Sequence, residues 1–154
     1  MTEPAYKTLM TIDETTPLFG QIALRDLVLP DLLGDEQSDI LYWAGRSLAE
    51  KVPTKEADLP ALFAQLGLGT LTSQSQKRQQ REYRLDGPVV AARLKDFDAP
   101  DFQLEAGLLA QLLQQQLGGV VEGNSQLLPR EQAVSITISL DTHDKQPVID
   151  DLTD

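Results

Sequence analysis

The chain has 154 residues, of which 24 are acidic and 13 basic, for a formal net charge of −11, and it contains no cysteine. The missing cysteine excludes disulfides, thiolate zinc sites, iron–sulfur clusters and thiol nucleophiles, and the acidic balance opposes binding to a phosphate backbone. No apolar run approaches the roughly 20 residues that a bilayer span requires. Residues 1–16 carry Glu3, Asp13 and Glu14 where a secretory signal would be basic and then apolar. A cytoplasmic protein without a membrane span, and without nucleic acid as a partner, is expected.

The length suits one domain, placed at residues 16–141. Residues 1–15 are read as a flexible segment. Residues 142–154 are read as an acidic, disordered tail, in which Asp144, Asp150, Asp151 and Asp154 face a single lysine, Lys145. Thr16 and Pro17 resemble an N-cap and first helical residue, and Phe19, Ile22, Ala23 and Leu27 keep helical spacing until Pro30, which predicts a helix over 17–29. A second helix, capped near Ser38 or Asp39, ends by Val52 because Pro53 cannot continue it. A short third helix fits 58–66, with Pro60 in its first turn and Gly67 at its C-cap.

The period then changes. Residues 69–73 and 80–85 read as a hairpin, and Gly87-Pro88 opens a helix that reaches about Leu94. A long helix over 102–117 follows, and Gly118-Gly119 separates it from strands at 120–128 and 133–141. In the last strand Val134, Ile136, Ile138 and Leu140 alternate with Ser135, Thr137 and Ser139. One apolar and one hydroxyl face describe a sheet covered on one side. The expected fold class is therefore α+β, a small antiparallel sheet of two hairpins, about four strands, with helices packed on one face. A doubly wound parallel sheet fits less well, since neither hairpin has room for a helical crossover.

In the long helix, Phe102, Ala106, Leu109, Leu112, Leu113 and Leu117 form one stripe at about 100° per residue. Glu105 falls on that stripe, where an unpaired carboxylate would be costly to bury. Backbone amides or an arginine at the helix N-terminus would satisfy it; alternatively it is the polar anchor of a pocket. The opposite face carries Gln103, Gly107, Gln111, Gln114 and Gln115, flanked by Leu104 and Leu108, without charge. Mid-helix glycine costs roughly 1 kcal/mol relative to alanine, so Gly107 suggests another backbone close by, in a helix of the same chain or in a second subunit; the alternative is a neutral glutamine face exposed to solvent. In the second helix Ile40, Leu41, Ala44, Leu48 and Val52 share one side. Trp43, the only tryptophan, falls among Arg46, Ser47 and Glu50. It is a candidate interface anchor, or a ring covered by the N-terminal segment or stacked on Arg46.

Catalytic chemistry is hard to assemble from these residues. His143, the only histidine, sits in the acidic tail, so neither a histidine triad nor a histidine metal site has a scaffold. Gly67 and Gly69 lack the lysine and the following helix of a phosphate loop, and Asp96, Asp98 and Asp101 lack the spacing of a calcium hand. Lys77, Arg78, Arg81 and Arg84 make a basic patch around the first hairpin, which either blunts an exposed hairpin and balances the acidic surface or receives an anionic ligand or partner. No catalytic residue, metal or cofactor is assigned.

Leu29-Pro30-Asp31-Leu32-Leu33-Gly34, Tyr42-Trp43-Ala44-Gly45, Gly69-Thr70-Leu71-Thr72, Gly87-Pro88 and Phe102-Gln103-Leu104-Glu105-Ala106-Gly107 occur in this order. Together they resemble the YslB-like family of uncharacterised proteins from low-GC Gram-positive bacteria, over roughly Thr16 to Leu140. That family in turn looks like a branch of the vinyl-4-reductase-type domains, whose wider superfamily includes haem-nitric-oxide-binding domains and Bet-three-like tethering subunits. The resemblance implies an α+β fold, frequent dimerisation and, in some relatives, a cavity for an apolar ligand. The cysteines that many vinyl-4-reductase-type domains carry near their last strands are absent here, so their metal or redox chemistry is not carried over, and neither is haem ligation by histidine.

Two functions follow. The first is a non-catalytic module that homodimerises through Trp43, Arg46, Leu104, Gly107, Leu108 and Gln111. The second is a sensor for an apolar small molecule or lipid, its pocket enclosed by Tyr42, Phe102 and neighbouring leucines with Glu105 as the polar group.

Overall fold

The computed structural model describes residues 18–149. The proposed cap at Thr16-Pro17, the segment 1–15 and the last residues of the tail lie outside them. The first helix, α1, is built from Leu18–Ile22, a π turn at Ala23–Val28 and Leu29–Leu33, and it stops at Gly34 with a φ of 64°. It was expected to end before Pro30, yet it passes through that residue. A proline inside a helix collides with the carbonyl one turn back, and the wider turn just before Pro30 shifts those carbonyls aside.

α2 spans Gln37–Lys51 and α3 spans Leu59–Gln65. The hairpin strands are β1 (Thr70–Gln76) and β2 (Gln80–Asp86), followed by α4 (Pro88–Asp96) and α5 (Gln103–Leu117). β3 (Gly119–Leu128) and β4 (Ala133–Lys145) close the chain. The strands form one antiparallel sheet in the order β1-β2-β4-β3, so the last strand lies between the first hairpin and β3. This is the expected α+β fold, with the helices on one face of a four-stranded sheet. β4 continues past Asp141 to Lys145, pairing Lys145 with Gly119 across a bulge. Beyond it the Gln146 amide donates to the Gly118 carbonyl (2.7 Å) and the Ile149 amide to the Gln115 carbonyl (2.8 Å).

The core lies between sheet and helices. Val134, Ile136 and Ile138 of β4, Tyr83 and Leu85 of β2 and Leu71 of β1 point into it, against Phe102, Leu109, Leu112 and Leu113 from α5 and Leu62 and Phe63 from α3. α5 is buried almost all round, as a helix without a charged face should be. Its second contact surface, foreseen at Gly107, is met by α2 of the same chain. A Cβ on Gly107 would fall inside the contact radius of the Tyr42 carbonyl oxygen, and one on Gly45 would strike the α5 backbone at Leu104 and Leu108. The two glycines thus let two helix backbones touch. On the sheet side a Cβ on Gly123 would strike the Ala106 carbonyl at 2.5 Å.

The glutamines of α5 stitch it to its neighbours. Gln114 Oε1 accepts from Arg46 Nη2 (2.8 Å) and from the Val121 amide (3.2 Å). Gln115 Nε2 donates to the Ala49 carbonyl (3.2 Å), and Gln116 Oε1 accepts from the Glu56 amide (2.6 Å).

Gly107→Ala is expected to destabilise the fold by about 2–3 kcal/mol, within the usual range for overpacking, because backbone rather than a movable side chain opposes the new methyl. Urea unfolding checks this. A midpoint unchanged from wild type would show that the helices separate at no cost.

Candidate functional site

Consecutive residues of the π turn supply one half of a buried cluster of charges. Arg25 grips Glu105 with both terminal nitrogens, Nη1 to Oε2 at 2.9 Å and Nη2 to Oε1 at 2.6 Å. Asp26 accepts from Arg93 Nε (2.7 Å) and Nη2 (3.0 Å). Arg93 Nη1 lies 3.6 Å from Glu105 Oε2, joining the two pairs. The Asp101 carbonyl accepts from both arginines, at 3.1 Å from Arg25 and 2.7 Å from Arg93. Side-chain exposure is 3% for Arg25, 0% for Glu105, 2% for Arg93 and 3% for Asp26. Two cations and two anions cancel, which is the condition for burying them. Burial works against the Arg25 charge, but Glu105 together with Asp26 and Asp101 outweighs it, so the Arg25 pKa is raised. Among the described residues, Arg25 Nε is the buried side-chain nitrogen left without a partner.

The pocket expected around Tyr42, Phe102 and Glu105 is not assembled as one site. Glu105 is satisfied by arginines, the alternative foreseen for it. Phe102 is 1% exposed and serves as a floor for Arg93, whose guanidinium carbon stands 4.1 Å above the ring centroid. Tyr42 instead lines an open cleft of about 370 Å³ between α2 and β3, with Trp43, Arg46, Gln103, Val121 and Gly123. Asp39 and Glu122 stand at the same cleft.

β3 is an edge strand, and side chains from the helices occupy its free backbone groups here. Arg46 Nη1 donates to the Val121 carbonyl (2.8 Å), and the Gly123 amide donates to the Tyr42 hydroxyl (3.1 Å). Arg46 also donates to that hydroxyl at 3.2 Å and lies 5.7 Å from the Trp43 ring. Trp43 is 66% exposed and meets Tyr42 edge-on with centroids 5.8 Å apart.

The residues named for a subunit contact divide in the same way. Gly107 and Leu108 lie inside the α2–α5 packing and are closed to a second subunit, because the Gly107 position is filled by the Tyr42 backbone. Leu104 and Gln111 are half-buried, while Trp43 is exposed beside Arg46. The basic hairpin is partly neutralised within the chain: Arg81 pairs with Glu56, and Arg84 with Asp86 (3.1 Å) and Glu131 (3.0 Å). Asp101 accepts from the Ser38 hydroxyl and from the Gln103 amide (2.8 Å), which commits it to the start of α5. Among the described residues no group of three or more histidines or acids is gathered for a metal, and no helix is long and apolar enough to cross a membrane.

Sequence reasoning missed Arg25, Asp26 and Arg93. Two adjacent opposite charges on an otherwise apolar helix were the available signal, and they were outweighed by the spacing of Phe19, Ile22, Ala23 and Leu27. Phe19 and Leu27 in fact face outward, at 79% and 53% exposure. The π turn rotates the helix so that Arg25 and Asp26 face inward instead.

Residues 18–139 match the family described as "Protein of unknown function (DUF2507)". The chain belongs to this family. It is 41% identical over 122 residues to the uncharacterized protein YslB of Bacillus subtilis, an alignment that covers 79% of this chain and 82% of the relative. Among solved structures it is similar to a vinyl-4-reductase family protein from Methanocaldococcus jannaschii, with a TM-score of 0.60 and 17% identity, covering 90% of this chain and 89% of that one. It is also similar to the phenol-responsive sensory domain of the transcription activator PoxR, determined with phenol, at a TM-score of 0.58 and 11% identity over 82% and 76% of the two chains. At these identities the two structures establish a shared fold.

Glu105→Gln should cost about 3–5 kcal/mol, the usual loss when one partner of a buried ion pair is removed, because Arg25 would keep its charge without a carboxylate. The double variant Arg25→Met/Glu105→Met should recover most of that loss. Thermal unfolding of the two variants decides the point, and equal destabilisation would show that the pair is not coupled.

Proposed function

We propose that the chain is a non-catalytic binding domain of the sensory type, which recognises a small aromatic molecule at the cleft between α2 and β3. The observation that carries this reading is an exposed tryptophan beside a preorganised wall. Trp43 offers its ring to the cleft, and Tyr42 and Arg46 are held in place by the β3 backbone. The volume of about 370 Å³ falls at the lower end of the range for small-molecule sites. Carboxylate acceptors line it in Asp39 and Glu122, which suits a planar molecule carrying a hydroxyl donor. Likeness to a phenol-responsive sensory domain supports the class of ligand. Among the described residues, no histidine, lysine, cysteine or serine lines the cleft beside Asp39 and Glu122, which favours binding over catalysis.

Because Trp43 is the only tryptophan, its emission reports on the cleft directly. Phenol, used as the probe and titrated with excitation beyond its own absorption, is expected to change that emission along a saturable curve. In Trp43→Ala the heat of phenol binding should be lost while thermal stability is kept. Quenching that rises linearly, as for free tryptophan, would count against the site.

A second reading, homodimerisation, is supported by the same exposed ring beside Arg46, with the half-buried Leu104 and Gln111 as neighbouring candidates. Sedimentation at micromolar concentration should then give a dimer that Trp43→Ala weakens by tenfold or more. A monomer unaffected by that change removes this reading and leaves the first untouched.

A further inference from the structure

Helix α1 is apolar on the side that faces away from the protein. Phe19 is 79% exposed, Leu24 49%, Leu27 53%, Val28 51% and Leu32 73%. Leu24, Val28 and Leu32 recur every fourth residue along one edge, and Phe19 and Leu27 flank them. The π turn of this helix thus holds Arg25 and Asp26 inside while Leu24, Leu27 and Val28 face outward. An exposed apolar patch of this extent, on the order of 600 Å², belongs to an interaction surface more than to bare solvent.

Charge selects the occupant. Between residues 18 and 45 the only basic residue is Arg25, and it is spent on Glu105. The exposed charges of α1 itself and of the turn that follows it are Asp31, Asp35 and Glu36, all negative; the exposed Lys95 lies on α4, the helix packed beside the start of α1. At the C-terminal end of α1 a cleft of about 380 Å³ is lined by Asp26, Pro30, Asp35, Ser38, Asp98 and Asp101. A second copy docked symmetrically through the same face would bring the same acids to it and offer no base to meet them. An anionic lipid surface fails for the same reason.

We infer that the outer face of α1 docks a basic amphipathic helix of a partner protein, with leucine-like residues on Leu24, Val28 and Leu32 and a lysine or arginine at the acidic cleft beside Asp35 and Asp98. Helix-in-groove recognition reads such anchors at helical spacing, and the opposite charges add to the rate of encounter and fix the register.

The test uses the full chain and two synthetic amphipathic peptides, one built from leucine and lysine, the other from leucine and glutamate. The leucine–lysine peptide should bind with a dissociation constant in the micromolar range, weakening at least tenfold as salt rises, and the leucine–glutamate peptide should not bind. Val28→Ser/Leu32→Ser should lose at least tenfold in affinity. Asp35→Asn/Asp98→Asn should lose severalfold and flatten the salt dependence. Asp141→Asn/Asp144→Asn, which removes the same charge elsewhere, should bind as wild type. All three variants alter exposed positions, and an unchanged thermal midpoint confirms that each is folded.

Equal losses in the two acid variants would reduce the effect to bulk charge and overturn the proposal. Unchanged binding by Val28→Ser/Leu32→Ser would overturn it as well. So would a dimer in sedimentation that this variant dissociates, which would assign the face to a second copy. Phenol titration of the same variants keeps this outcome separate from that of the α2–β3 cleft.

Discussion

The buried quartet of Arg25, Asp26, Arg93 and Glu105 sets the position of α1, and α1 in turn decides which surface the protein presents. Its parts come from three helices: the first two residues from the π turn of α1, Arg93 from α4 and Glu105 from the first turn of α5. Each ion would be expensive to desolvate alone. Together they sum to zero charge, and the Asp101 carbonyl takes a donor from each arginine. A purely apolar contact would tolerate rotation of the helix. Rotating α1 to bury Phe19 and Leu27 would carry Arg25 and Asp26 to the surface and strand Glu105 and Arg93 in the core, at a cost of several kcal/mol. The matched charges thereby hold the apolar side outward.

A second constraint acts where α5 is pressed between α2 and the sheet. Gly45, Gly107 and Gly123 each stand where a side chain would meet backbone, so the spacing of the layers is fixed by main-chain contact. That closeness brings Tyr42, Arg46 and Gln114 within reach of the β3 edge, where they occupy the Val121 carbonyl and the Val121 and Gly123 amides. An edge strand with its hydrogen-bonding groups occupied is a poor template for unwanted pairing. The same bonds hold the walls of the cleft that Trp43 overhangs, so protection of the edge and rigidity of the candidate site have one cause.

Much of the fold was legible in the sequence because its signals are local. The alternation of Val134, Ile136 and Ile138 with hydroxyl residues marks a one-sided strand, Gly87-Pro88 and Pro53 mark helix boundaries, and α5, with Glu105 as its single charge, announces its own burial. The ends of α1 and β4 were not legible. Pro30 normally stops a helix, and only the π turn before it lets α1 continue to Leu33; β4 runs on to Lys145 because Gly119 supplies a partner across a bulge. The inward face of α2 was also misjudged. Leu41, Gly45 and Ala49 are buried while Ile40 and Ala44 are exposed, since the close crossing at Gly45 favours the small residue over the larger apolar ones beside it. Of the site, Glu105 was identifiable as a buried acid in need of a cation, but its partners lie 80 and 12 positions away in sequence, and separations that large leave no periodic trace.

The distribution of satisfied polar groups explains why the cleft, and not the interior beside Phe102, is the better place for a ligand. Around Glu105 both carboxylate oxygens are taken, Phe102 is covered by the Arg93 guanidinium, and the leucines of α5 fill the space toward the sheet. A molecule entering there would have to open an ion pair and strand a charge before making any contact of its own. The α2–β3 cleft makes no such demand. Its hydrogen bonds to β3 are already made by Arg46 and Tyr42, Trp43 keeps two-thirds of its surface free, and Asp39 and Glu122 remain exposed. Binding there adds contacts without removing any, which is the condition under which a site of this small volume can still gain net affinity.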